Sequence, residues 1–245
     1  MGRDWYSSWF DTSYYHILYK DRDYSEAELF IDNLIEYLNP PLESKILDLA
    51  CGKGRHSIYL SKKGYIVSGC DLSSNSINEA SKYRSNRLSF FKHDMRNRLN
   101  ENYHLILNLF TSFGYFEDTD DNYKILQSVY NALPQNGFFV LDYLNANKVV
   151  SSLLPSEKKV VDGITFNIQK EVDHGFIKKL ISFKDKGEAF QYQEKVQLLT
   201  LSNFKTMFHK VGMKIEKTFG SYNLNDFDEN NSDRLIIVAK KSNKL

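Results

Sequence analysis

Apolar positions in the first forty residues recur at helical spacing, with Phe30, Leu34, Ile35 and Leu38 on one face. Ser25 is placed to cap this helix, Glu26 and Glu28 suit the positive end of its dipole, and Pro40-Pro41 stops it. Short apolar runs and helical segments then alternate. Strands are expected at 45–50, 65–70, 88–91, 104–109 and 138–142. Helices are expected from Ser57 to a stop at Gly64, at 74–84 behind Ser73 as N-cap, and at 121–133. A turn at Pro134-Gln135-Asn136-Gly137 precedes the fifth strand. This alternation predicts an α/β fold, a parallel sheet with helices on both faces.

Beyond residue 148 the pattern changes. Between 158 and 200, β-rich runs are separated by Asp162-Gly163, Asp173-His174-Gly175 and Asp185-Lys186-Gly187, which predicts hairpins and so an antiparallel β insertion after the fifth strand. Its Phe166, Phe176, Phe183, Phe190 and Tyr192 suit either an apolar wall for a substrate or the hairpins' own small core. Residues 202–211 return to helix with Gly212 as a stop. Residues 213–219 and 234–240 are then expected to pair antiparallel at the end of the main sheet, around a polar loop at 223–233. The organisation expected is a helical cap (1–40), a Rossmann-like domain (41–148 and 201–245) and the insertion (149–200) over a substrate pocket.

Composition narrows the class. The chain has 245 residues, of which 42% are hydrophobic and 26% charged, enough for one large core in an ordinary soluble enzyme. Lys and Arg number 32 against 31 Asp and Glu, which lacks the broad basic footprint of a nucleic-acid binder. No apolar run approaches the ~20 residues of a membrane span, and the N-terminus reads neither as a secretory leader nor as a myristoylation site. Cys51 and Cys70 make no disulfide framework, and no Cys/His cluster has metal-ligand spacing. A cytoplasmic protein with reduced thiols, without a metal, is expected.

The candidate chemistry lies at the ends of the first three strands. Leu47-Asp-Leu-Ala-Cys-Gly-Lys-Gly-Arg55 joins a strand to a helix, where Gly52 and Gly54 permit positive φ and close approach of a ligand. Asp71 ends the second strand, placed to receive ribose hydroxyls, and Asp94 follows the third, placed to receive an adenine amine. A nicotinamide dinucleotide also uses a glycine loop and a ribose acid. Its G-x-G-x-x-G fingerprint fails here, because Ser57 stands where the third glycine belongs. Asp48 also disfavours a pyrophosphate, whereas it suits an ammonium and a sulfonium. The charge pattern favours S-adenosylmethionine.

These segments resemble the motifs of class I S-adenosylmethionine-dependent methyltransferases. The run from Leu47 to Gly54 is similar to the first motif, with Ala50 where a further glycine is often found. Asp71-Leu72 resembles the acidic second motif, His93-Asp94-Met95 the adenine-binding third, and Asn108-Leu-Phe-Thr-Ser-Phe-Gly-Tyr115 the fourth-strand motif. The resemblance spans roughly 14–240 and is nearest to bacterial small-molecule enzymes of the glycine and sugar N-methyltransferase type. It implies a seven-stranded sheet and S-adenosylmethionine as cofactor. Backbone at Ala50, Gly52 and Gly54 would flank the methionine part, with Asp48 nearby and the Asn108 carbonyl and Leu109 at its ammonium. Asp71 would bind ribose, Leu72 would pack on adenine, Asp94 would hold its amine, and the Met95 amide would meet a ring nitrogen. Tyr19 or Tyr24, on an aromatic N-terminal helix, would fold over the cofactor.

The acceptor is expected to be a small molecule bound by a monomer or homodimer, without a membrane and without nucleic acid. An RNA or protein methyltransferase, or a non-catalytic cofactor-binding module, are the alternatives. Tyr115 is the candidate acceptor contact, with Asp142, Tyr143 and His174 as further candidates. His174, in a hairpin turn, and His209 also read as surface residues. The fourth-strand run Asn-Leu-Phe-Thr differs from the Asn/Asp-Pro-Pro-Tyr/Phe run used on exocyclic base amines.

Overall fold

The computed structural model describes residues 5–20 and 24–242. Three helices open the chain: α1 (Trp5–Trp9), α2 (Ser13–Leu18) and α3 (Tyr24–Leu38). α3 buries Phe30, Ile31 and Leu34, and the chain leaves it at Asn39 in a left-handed turn before Pro40, which disfavours helical geometry in the residue it follows. Ser25 lies inside α3 rather than at its cap.

Next come β1 (Lys45–Leu49), α4 (Arg55–Lys62), β2 (Ile66–Asp71), α5 (Ser74–Ala80) with a tighter turn at Ser81–Tyr83, β3 (Leu88–Lys92), β4 (Leu105–Asn108), α6 (Thr119–Ala132), β5 (Phe138–Leu144) and α7 (Ala146–Ser151). Four antiparallel strands follow, β6 (Ser156–Val161), β7 (Ile164–Asp173), β8 (Phe176–Asp185) and β9 (Glu188–Gln197). The chain ends with α8 (Leu201–Val211), β10 (Met213–Phe219) and β11 (Arg234–Lys241). Ser73 caps α5 as expected, and Thr200 and Asn203 close a capping box on α8.

The main sheet has seven strands in the order β10-β11-β5-β4-β1-β2-β3. β1 to β5 run parallel, and β11 lies antiparallel to both β5 and β10. Alternate residues of β1 feed opposite cores: Ile46 packs with Phe30, Ile31 and Leu60 of α3 and α4, Leu47 with Ile125, Val129, Phe204 and Phe208 of α6 and α8. Helices therefore cover both faces. Strand order reverses between β1 and β4, the switch point where open α/β sheets bind ligands.

The three hairpin turns of the second sheet fall at Asp162-Gly163, His174-Gly175 and Lys186-Gly187, and both residues of each have positive φ. That is the type I′ geometry that matches strand twist. The apolar face of this sheet is not a free wall. Phe166, Ile181 and Phe183 share a core with Trp9 of α1 and Leu18 of α2, while Phe176 lies under the Lys195 ammonium. Among the described residues no helix is long and apolar enough to cross a membrane.

Candidate functional site

β1 ends at Leu49, and the turn to α4 places Ala50, Gly52 and Gly54 in the left-handed region. The two glycines are needed for different reasons. A Cβ on Gly54 would stand 2.6 Å from the Phe90 ring, so Gly54 serves packing, whereas nothing lies within 4 Å of a Cβ built on Gly52. The open side of the loop is at Gly52. Its N–H donates to Asp71 Oδ2 at 2.8 Å, the Ser73 N–H donates to Oδ1 at 2.9 Å, and burial nonetheless raises the Asp71 pKa. Asp48 is fully buried beneath the loop, where burial pushes its carboxyl up to about 6 although Ser57 Oγ donates to it at 2.6 Å. Ser57, the residue that breaks the dinucleotide fingerprint, is therefore the partner of Asp48.

At the end of β3, Asp94 is not a free acceptor. Burial favours its neutral form, but Arg96 outweighs this with a fork of hydrogen bonds, Nη2 at 2.6 Å and Nε at 3.0 and 3.1 Å, and holds the pKa below the usual range. Arg96 also reaches Asp121 at 3.1 Å, so the β3 end is tied to α6. Leu72 and Met95 are half-buried against the core on this side.

The end of β4 is strained. Asn108 is fully buried, with Nδ2 donating to the Leu49 carbonyl at 2.9 Å and Oδ1 left without a partner among the described residues. Leu109 is buried, and then Phe110 and Thr111 are both left-handed, at φ 57 and 61. Each such residue costs ~1–2 kcal/mol, and for a β-branched Thr it is a marked outlier. Asp142 on β5 compensates: Oδ2 accepts the Phe110 N–H at 2.7 Å and its carbonyl accepts the Thr111 N–H at 3.0 Å. The Phe110 ring stacks on His56 at 5.0 Å, with the Arg55 guanidinium 4.3 Å from its centroid. His56 is buried with Nε2 unpartnered among the described residues, and burial lowers its pKa to about 3, so it is neutral. The Tyr115 hydroxyl donates to the Thr111 carbonyl, and its ring packs on Trp5 and Phe10 of the N-terminal segment at 5.3 and 5.4 Å.

A strap formed by α1 and α2 crosses these strand ends. Between the two helices, Asp11 accepts from Ser73 Oγ and, at 2.8 Å, from Asn75.

Comparison with known proteins agrees with this geometry. A methyltransferase domain model matches residues 46–137, which run from β1 to the start of β5. The chain is 28% identical over 227 residues to a glycine/sarcosine N-methyltransferase of Parasynechococcus marenigrum (strain WH8102), covering 89% of this chain and 78% of that one. It is 24% identical to the dTDP-3-amino-3,4,6-trideoxy-alpha-D-glucopyranose N,N-dimethyltransferase of Streptomyces venezuelae, covering 80% and 86%. An S-adenosylmethionine-dependent methyltransferase from Clostridium acetobutylicum ATCC 824 superposes with a TM-score of 0.80 at 22% identity, covering 94% and 96%, and so shares the fold. The domain match and these relatives support an S-adenosylmethionine-dependent methyltransferase of class I.

In this methyltransferase the strand ends bring together Asp48, Ala50, Gly52, Gly54, Asp71, Leu72, Asn108 and Leu109, with Asp94 and Met95 after β3. Tyr19 stands elsewhere: its hydroxyl donates to Glu194 on β9 at 2.7 Å, beside Trp9 Nε1 at 2.9 Å on the same oxygen. The Tyr24 side chain lies outside the described residues. Of the acceptor candidates, Asp142 is fully buried in an ion pair with Arg234, and Tyr143 is core, its hydroxyl on the Gln197 carbonyl at 2.6 Å. His174 has a side chain 91% exposed at a hairpin tip, and His209 is exposed on α8.

Sequence reasoning missed His56, Arg234 and Glu194. His56 follows the glycine loop directly, and that adjacency was a usable signal. Arg234 and Glu194 carry none, since their partners lie 92 and 185 residues away.

Proposed function

We propose that this enzyme transfers a methyl group from S-adenosylmethionine to a small-molecule amine. The observation that carries the reading is the set of buried polar groups at the switch point, chiefly Asn108 Oδ1 at the end of β4, which has no partner among the described residues, with the open face of Gly52 after the neighbouring β1. A buried oxygen without a donor costs ~1–3 kcal/mol unless a ligand supplies one, and an amino-acid ammonium is such a donor. The residues fit the cofactor. Backbone at Ala50, Gly52 and Gly54 would flank its amino-acid end, with Asp48 acting through water and Asn108 and Leu109 at the ammonium. Asp71 would take the ribose hydroxyls, Leu72 the adenine face, Asp94 its amine and Met95 a ring nitrogen. Tyr19 would anchor the cap through Glu194.

When bound, the cofactor supplies a methyl group already activated by a positive sulfur, so alignment can supply much of the acceleration. The chain's part is to orient and to exclude water. Trp5, Phe10 and Tyr115 form an aromatic cover over the β4 end, and Tyr115 is the proposed acceptor contact. A neutral amine needs no base to be methylated. The amine class is also what the relatives' names carry, glycine or sarcosine in one and an amino sugar in another. In this reading residues 149–200 lie over the pocket beside the cap, residues 41–148 and 201–245 hold the cofactor, and two buried free thiols accord with the cytoplasm.

The test is a labelled-methyl assay over glycine, sarcosine, a dTDP-amino sugar, transfer RNA and a protein mixture. Transfer to a small amine is expected. Transfer confined to RNA or protein, or tight cofactor binding with no transfer at all, would overturn the reading.

A further inference from the structure

We propose that Asp142 and Arg234 are positioning residues for the cofactor pocket, holding the left-handed Phe110–Thr111 step so that the β4 wall keeps its place against the glycine loop. The proposal rests on the functional reading above and deepens it by naming residues remote from the motifs.

Arg234, the first residue of β11, sets both Nε and Nη2 on Asp142 Oδ1 at 2.8 Å. The same Nη2 donates to Thr111 Oγ1 at 2.8 Å. Asp142 Oδ2 is shared between the Phe110 N–H and, at 3.2 Å, the Tyr222 hydroxyl. Among the described residues, every hydrogen bond of this pair's side chains thus ends on the strained step, on Tyr222 or on the pair itself. Tyr222 also packs on the Phe110 ring at 5.2 Å.

A pair that served only to join β5 to β11 would not need these contacts, because seven backbone partners in register already join the strands. Nor would a step without a positional task carry Phe and Thr, since glycine adopts this backbone freely. The two side chains explain the choice. Phe110 lies against His56 and Arg55, the first residues after Gly54, and the Thr111 hydroxyl accepts from Arg234 while its backbone carbonyl accepts from Tyr115. The strained step therefore couples the β4 end to the glycine-loop helix on one side and to the aromatic cover on the other. Backbone outliers held by surrounding contacts are characteristic of ligand clamps.

The experiment compares Thr111→Ser, Thr111→Val and Arg234→Lys. Valine keeps the shape of threonine without its hydroxyl, serine keeps the hydroxyl, and lysine keeps the charge without the fork. Calorimetric titration with S-adenosylmethionine should show about ten-fold weaker binding for Thr111→Val and Arg234→Lys, the loss of roughly one hydrogen bond's worth of fixing. Thr111→Ser should stay within about two-fold of wild type on the same scale. Hydrogen exchange of the ligand-free protein should show lost protection over 108–116 in the two weakened variants, with β1 and β2 unchanged. Equal affinity across all variants, or protection lost evenly over the whole sheet, would overturn the proposal. Failure of wild type itself to bind S-adenosylmethionine would overturn the functional reading instead, and the exchange arm would still decide whether the pair holds the step.

Discussion

The carboxylate of Asp71, at the end of β2, accepts the backbone N–H of Gly52 in the loop after β1 at 2.8 Å. One side chain thus shapes the loop that leaves the neighbouring strand. It also holds the Ser73 N–H ahead of α5. Asp71→Ala is expected to cost ~1.5–3 kcal/mol of stability, the range for a hydrogen bond to a charged group. It should also weaken S-adenosylmethionine binding by on the order of ten- to a hundred-fold. Thermal melts and calorimetry measure the two effects separately, and unchanged affinity would remove Asp71 from the ribose site.

The loop glycines should separate in the same assays. Gly54→Ala drives a methyl into the Phe90 ring at 2.6 Å, overpacking that costs ~1–3 kcal/mol before the backbone penalty. Gly52→Ala meets no protein atom, so its stability cost is only the ~1–2 kcal/mol of a left-handed alanine. Its larger effect should be on cofactor affinity. A Gly52→Ala protein that binds as well as wild type would show that the open face is not used.

Asp48 predicts a pH dependence. Burial raises its carboxyl to about 6 from 3.8, so between those values the folded chain holds more protons than the unfolded one. This carboxyl's contribution to stability therefore falls as pH rises from about 4 to about 6 and is flat above, by up to ~3 kcal/mol. His56, lowered to about 3, contributes with the opposite sign, adding stability as pH rises from about 3 to 6.5. The informative quantity is thus the wild-type curve minus that of Asp48→Asn. A bound cation favours the ionised carboxylate, so affinity should weaken below pH about 6 and binding should release protons. Calorimetry in buffers of different ionisation enthalpy detects that release, and its absence would argue against a positive group near Asp48.

Glu194 anchors the N-terminal strap to the second sheet. It is buried, accepts from Trp9 and Tyr19, and pairs with Lys179 at 3.2 Å. Burial alone would raise its pKa, but Lys179 and the two hydrogen bonds hold it below the ordinary value. Glu194→Ala leaves the Trp9 and Tyr19 donors without their acceptor beside a Lys179 that is one-third exposed, a loss of ~1–3 kcal/mol, whereas Glu194→Gln should cost less. Hydrogen exchange should show α1 and α2 losing protection in the alanine variant before the main sheet does. Simultaneous loss everywhere would mean that Glu194 supports the whole fold rather than the strap.

Local chemistry determined much of this protein from the sequence alone. The period of the apolar positions marked the βα alternation, Asp-Gly and other glycine-containing turns marked the hairpins, and the glycine loop with Asp71 and Asp94 marked the ligand-binding strand ends. These signals are legible because each depends on residues a few positions apart, where spacing and φ preferences act directly. Tertiary structure alone decided what lies between such segments. Asp94 meets Arg96 as a closed fork, Asp142 turns from an acceptor candidate into the partner of Arg234, and Tyr19 is drawn to Glu194. A buried carboxylate takes whichever donor the fold brings within ~3 Å. Across 92 or 185 residues of chain, only the packing of the strands and the strap sets which donor that is.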